Sequence, residues 1–205
     1  MAGRGGRRLG PPAPAVPEAP VPVLAAYGHS WIAGDGASRP DRCLVATAGR
    51  ALGATVLNRG VGGSLSTDTA ALVAAAAVPR ADAYLLMTGL NDARLHGAAP
   101  AALGEYAAAL ATVLGAFGDA SPDAAVAIIE QPRLVDYTRH EPYDRGSDEL
   151  LDAYNDVLRT AAAAAGALVA APSSWDPATM LAEDTVHPND RGHAYLAQVV
   201  VGVVS

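Results

Sequence analysis

Val21-Pro22-Val23-Leu24-Ala25-Ala26-Tyr27-Gly28 is an apolar run without polar alternation, and a glycine closes it. A strand with one face in water alternates apolar and polar side chains, whereas a strand covered on both faces does not. The run therefore reads as a buried strand that turns sharply at Gly28. Working outward, similar short runs stand at residues 54–57, 83–87 and 124–129, with a weaker one at 167–170. Segments of helical spacing separate them, at 40–52, 67–77, 100–117, 148–165 and 190–200. Strands alternating with helices predict a parallel, five-stranded sheet with helices on both faces, a three-layer α/β/α sandwich. In such open sheets a ligand sits beyond the carboxyl ends of the strands. Ser30, residues 58–63, Asn91 and residues 184–187 all fall at those ends, along one edge.

Length and composition narrow the function. A chain of 205 residues that is 51% hydrophobic can bury one substantial core, so one domain is expected over residues 23–205. A net charge of −7 lacks the basic face that nucleic-acid binding requires. All fourteen basic residues are Arg, which excludes lysine Schiff-base chemistry and a lysine-bearing phosphate loop. The lone Cys43 allows neither an intrachain disulfide nor a cysteine zinc site, and a reducing, cytoplasmic compartment is the simpler expectation. Residues 1–22 read as an Arg- and Pro-rich disordered tail, because proline interrupts the apolar stretch that a secretory signal needs. No later stretch has eighteen uncharged apolar residues in a row, so no membrane span is expected.

The chemistry starts from Asp184-Thr185-Val186-His187-Pro188. A carboxylate three residues before an imidazole, in a proline-punctuated loop, can hold one ring nitrogen and leave the other free to act on a hydroxyl. Ser30, in Gly28-His29-Ser30-Trp31, is the candidate partner. Taken singly each block has a blander reading: Ser30 as a helix cap, Asn91-Asp92 as a turn, Asp184 as a cap of the last helix with His187 on the surface. A metal site from Asp184, His187 and His193 lacks helical ligand spacing, and His96 and His140 read as surface residues. An α/β-hydrolase elbow fits poorly, because Ile32 stands where its second glycine belongs and Ser30 follows the first strand where that fold wants a much later one.

Four blocks in order, however, resemble the SGNH hydrolases, also called GDSL-like esterases and lipases. They are Gly28-His29-Ser30-Trp31, the segment from Asn58 to Gly63, Gly89-Leu90-Asn91-Asp92, and the Asp184–His187 block. The resemblance implies a flavodoxin-like sandwich, with Ser30 as nucleophile, His187 as general base and Asp184 as its orienting carboxylate. It also implies an oxyanion hole from the backbone N–H groups of Ser30 and Gly63 and the side-chain amide of Asn91. Gly63 is chosen over Gly60 and Gly62 because the family places this glycine five residues after the Asn. The implied activity is hydrolysis of small-molecule acyl esters through an acyl-enzyme, without metal or organic cofactor. An acyltransferase with the same triad, or a ligand-binding protein without turnover, are the alternatives. One position departs from the family: His29 stands where an Asp is usual, and it is expected to serve as a hydrogen-bond donor bracing the loop.

Residues 131–147 are long for a strand-to-helix connection and follow the fourth strand, so they should hang over the site. On composition alone the segment reads equally as a solvated surface loop; as part of the site, its Tyr137, Arg139 and Tyr143, with Trp31 and Trp175, are the candidate substrate rim. Rings and guanidinium groups suit short acyl esters of a polar alcohol or sugar better than a long acyl chain.

Overall fold

Strand β1 (Val23–Gly28) forms where the apolar run lies, with every residue after Val23 buried. In the computed structural model, which describes residues 20–205, it is followed by α1 (Ser30–Ala33), a 3-10 turn (Pro40–Arg42), α2 (Leu44–Ala51), β2 (Thr55–Gly60), α3 (Ser66–Ala75) and β3 (Ala83–Met87). Then come α4 (Leu90–His96), α5 (Pro100–Ala120), β4 (Ala125–Ile129), α6 (Asp148–Ala165), β5 (Leu168–Ala170), α7 (Pro177–Met180) and α8 (Asp190–Val204). The tail expected over residues 1–22 lies, up to residue 19, outside the described residues.

All four strand pairings are parallel, in the order β2-β1-β3-β4-β5. This is the doubly wound, flavodoxin-like order, with α3, α5 and α6 packed together and α2 and α8 forming the other helical pair. From β1 the chain goes outward to β2 and then crosses back to β3 on the other side. The crevice beyond the carboxyl ends of β1 and β3 is therefore the topological switch point where such sheets bind ligands. Gly28 closes β1 at φ +139, and a Cβ there would overlap the Met87 carbonyl oxygen of β3. Only glycine lets the two strand ends approach this closely.

Burial follows strand position. The central strands β1, β3 and β4 supply Leu24, Ala25, Ala26, Leu85, Leu86 and Ile128, none more than 1% exposed. Phe117 of α5 joins helix to sheet: its ring stacks on Tyr84 at 4.5 Å and tilts against Tyr27 at 5.1 Å. The buried Tyr84 hydroxyl donates to the Pro79 carbonyl, so its burial leaves no polar group unpaired. By length and apolarity α5, with 21 residues and a mean hydropathy of 1.4, could cross a membrane. Here Tyr106, Leu110, Val113 and Phe117 form its buried face as a layer of the domain.

Several boundaries differ from the sequence expectation. β2 runs on through Asn58, Arg59 and Gly60, which pair with Ala26, Tyr27 and Gly28; an edge strand tolerates polar residues that a central strand would not. The helix expected over 40–52 is broken at Cys43, whose extended backbone ends the 3-10 turn and caps α2. Asn91-Asp92, read in isolation as a turn, lies in α4, which starts after Gly89 in the left-handed region.

Candidate active site

Ser30 opens α1 directly after β1, 5% exposed. The residue before it caps that short helix: His29 Nδ1 accepts from the Trp31 backbone N–H at 3.3 Å. Because Nδ1 accepts, Nε2 carries the hydrogen and donates to Gln131 Oε1 at 3.0 Å. Gln131 in turn donates to the Thr88 carbonyl and exchanges hydrogen bonds with Asn155. His29 is thus both the expected donor and a helix-capping acceptor. Burial, opposed by the Gln131 hydrogen bond, pulls its pKa down to about 4, so the ring is neutral near pH 7.

At the other end of the chain, residues 181–189 form a tight loop in front of α8. Leu181 bridges Pro188, the Ala182 N–H donates to the His187 carbonyl, and Asn189 caps α8 while its amide holds the Thr179 and Leu181 carbonyls. Within the loop Asp184 Oδ1 accepts from the Val186 and His187 N–H groups, each at 2.9 Å. Its Oδ2 lies 2.6 Å from His187 Nδ1. Partial burial pushes the Asp184 carboxyl up, but these hydrogen bonds outweigh it, and the net result is a pKa below the usual carboxylate range. An ionised Asp184 fixes the hydrogen on Nδ1. Nε2 is then free to accept, and it lies 3.0 Å from Ser30 Oγ. Thr185, between the two residues, sits at φ +64, a left-handed conformation that a β-branched residue adopts at a cost of about 1–2 kcal/mol.

The remaining blocks are stitched to each other. Asn91 Nδ2 donates to the Ser64 carbonyl at 2.9 Å, which leaves the second hydrogen of its amide. Ser64 Oγ donates to the Gly28 carbonyl, and buried Asp92 accepts from the N–H and hydroxyl of Ser66 at the start of α3. Asn58 holds α1 onto β2 through the Ile32 carbonyl. Gly63, at φ +74, adopts a conformation in which its amide can be presented without a Cβ.

Loop 131–147 lies across these blocks. The Tyr143 hydroxyl donates to the Gly63 carbonyl at 3.4 Å, Arg139 Nη1 lies 3.4 Å from Thr185 Oγ1, and His140 Nε2 lies 3.0 Å from the Asp184 carbonyl. Arg94 ties the loop down from beneath by donating to the Arg139 carbonyl and accepting from the Arg145 N–H. His140 is exposed, as expected, yet it touches the candidate triad.

Three of the expected rim residues are elsewhere. Trp31 is wholly buried: α1 turns its ring into the core, against His29 and Trp175, so it cannot meet a substrate. Tyr137 braces the loop from within; its hydroxyl donates to Asp148 and accepts from the Leu134 N–H, and burial raises its pKa. Trp175 stacks on Trp31, donates to the Arg133 carbonyl, and borders a hollow of about 450 Å³ whose lining includes neither Ser30 nor His187. His193 is a core residue: Nδ1 accepts from the Leu44 N–H and Nε2 donates to the Asp35 carbonyl, so both nitrogens are engaged. Among the described residues no group of three or more His, Cys, Asp or Glu could hold a metal ion. One neighbour escaped sequence reasoning: Asp35 Oδ2 lies 4.0 Å from His187 Nε2. Asp35-Gly36 carries only the signature of a turn.

The fold is shared with solved structures of low sequence identity. A lipase/acylhydrolase from Enterococcus faecalis superposes with a TM-score of 0.69 at 20% identity, covering 89% of this chain and 94% of that one. A lipolytic G-D-S-L family protein from Veillonella parvula gives 0.68 at 19% identity, covering 88% and 97%. Axe2, an acetylxylan esterase from Geobacillus stearothermophilus, gives 0.63 at 21% identity, covering 88% and 93%. No curated protein sequence matches the chain significantly. The model of the GDSL-like Lipase/Acylhydrolase family matches residues 26–195, from β1 to within α8, and the chain belongs to that family.

Proposed function

We propose that the protein is a serine esterase that works through an acyl-enzyme on Ser30. The observation that carries this reading is the continuous relay from Asp184 Oδ2 to His187 Nδ1, 2.6 Å, and from His187 Nε2 to Ser30 Oγ, 3.0 Å. The Ser30 hydroxyl attacks the ester carbonyl while His187 Nε2 takes its proton, and Asp184 stabilises the imidazolium. The oxyanion is received by the N–H groups of Ser30 and Gly63 and by the Asn91 amide. As the intermediate collapses, the carbon–oxygen bond to the alcohol breaks and Nε2 returns the proton to the leaving oxygen. Water then attacks the acyl-enzyme, giving its proton to Nε2; collapse releases the acid and restores the Ser30 hydroxyl.

Short acyl groups on a polar alcohol or sugar are the substrates this reading favours. Arg139 and Tyr143, hydrogen-bonded from the loop to Thr185 and Gly63, support it by bringing a guanidinium and a phenol next to the Asp184–His187 loop and the glycine run. The test is to mix the protein with p-nitrophenyl acetate, quench in acid and map the acetyl group. It is expected on the peptide containing Ser30; turnover without an acetylated serine would contradict the mechanism. A second alcohol in the same mixture separates hydrolysis from transfer by whether its acetate ester accumulates.

A further inference from the structure

Asp35 sits at the working end of the candidate base. Its Oδ2 is 4.0 Å from His187 Nε2, and a Cβ placed on Gly62 would lie 3.3 Å from the same oxygen. The carboxylate therefore stands between the imidazole and the glycine run. Its backbone is held on both sides: the N–H donates to the Ser30 carbonyl at 3.0 Å, and the carbonyl accepts from His193 Nε2 at 3.0 Å. The side chain, by contrast, is half exposed and accepts no hydrogen bond among the described residues. With its backbone anchored and its lone pairs uncommitted, the carboxylate is an available acceptor beside Nε2.

Nε2 is also the atom that protonates the leaving oxygen. A group one hydrogen bond beyond that oxygen falls within reach of Asp35. In an ester of a 1,2-diol the free hydroxyl lies within hydrogen-bonding distance of the ester oxygen. The 4.0 Å separation is too long for a direct hydrogen bond between Oδ2 and Nε2, and an O–C–C–O fragment lying beside the pair can place one oxygen at Nε2 and the other at Oδ2. We propose that Asp35 is a specificity residue that accepts a hydrogen bond from a hydroxyl vicinal to the scissile ester, selecting monoacylated diols, as found in partly acylated polyols and sugars. The same charge disfavours an anionic alcohol moiety, which narrows the polar leaving groups considered above. This inference rests on the esterase reading.

The test compares 2-hydroxyethyl acetate with 2-methoxyethyl acetate, which differ by one methyl on the vicinal oxygen. For the native protein kcat/KM should favour the hydroxyl ester by about tenfold, the worth of a hydrogen bond to a charged group that is partly solvated. Asp35→Ala should bring the ratio close to one, and Asp35→Asn, which keeps an acceptor oxygen without the charge, should give a value between. The ratio is internal to each variant, so a general change in activity does not disturb it. A native ratio near one overturns the proposal. So does an Asp35→Ala variant that loses activity on both esters equally and keeps the native ratio, since Asp35 would then only support the imidazolium. Failure of the esterase reading looks different: neither these esters nor p-nitrophenyl acetate would be turned over.

Discussion

His29 and His187 flank Ser30, one as its chain neighbour and the other from 157 residues away, and their surroundings assign them opposite work. His29 is 0% exposed and engaged at both nitrogens by neutral groups, the Trp31 N–H and the Gln131 amide. The His187 side chain is 26% exposed, has a carboxylate at Nδ1 and turns Nε2 toward a hydroxyl. Burial among neutral partners makes an imidazole a brace, because protonation would leave a charge without solvent or counterion. A carboxylate behind and an open nitrogen in front suit it to the proposed work of a base. Residue type is the same in both; the environment decides.

The sharpest way to break this comparison is to remove each ring in turn. His187→Ala, like Ser30→Ala, should lower kcat/KM for p-nitrophenyl acetate by about ten-thousand-fold. His29→Asn should cost less than about tenfold while lowering stability by about 1–3 kcal/mol through its unpaired neighbours. Equal losses of activity would mean that His29 takes part in the chemistry. Next in size is Asn91→Ala, which removes the proposed oxyanion donor and should cut kcat by about a hundred- to a thousand-fold with little change in KM. A rise in KM alone would move Asn91 from transition-state stabilisation to substrate binding.

The acid limb of stability sharpens the comparison further. The folded-state pKa of His29, about 4, lies below the ordinary value of 6.5, so between them the folded protein binds fewer protons than the unfolded chain. Stability from this group is complete above about pH 6.5 and is lost as the pH falls toward about 4, a difference of about 3 kcal/mol. Urea denaturation at pH 7 and pH 4.5 should show a smaller loss for His29→Asn than for the native protein. Parallel losses would mean that His29 is not held neutral in the core. The smallest effect is expected at Thr185→Gly, where relief of the left-handed strain offsets the gain in loop freedom, for a net change below about 1 kcal/mol. A larger loss would show that the Thr185 side chain, through its contact with Arg139, holds the loop.

Much of this was legible in the residues. β1 and β3 declare themselves as apolar runs because they are buried on both faces, and α6 carries its own punctuation, Ser147 as cap and Gly166 at the stop. The Asp184–His187 spacing could be interpreted because one turn of loop suffices to join the two side chains. What stayed hidden depends on packing or distance. The short helices α1, α4 and α7 have too few residues for a hydrophobic period. Trp31 looked like part of the rim because it follows Ser30, but adjacent residues on a helix point in different directions, and α1 sends this ring inward. Asp35 acquires meaning only when α8 and the loop before it fold back over the first strand.

The central claim is that Ser30 is activated by His187 and not by its neighbour, and a fluorophosphonate reports on activation directly because it reacts with a serine whose proton is being withdrawn. Mass mapping should find one adduct, on the peptide containing Ser30, in the native protein and in His29→Asn, and none in Ser30→Ala or His187→Ala. An adduct that survives His187→Ala, or that disappears with His29→Asn in a folded protein, would contradict the account.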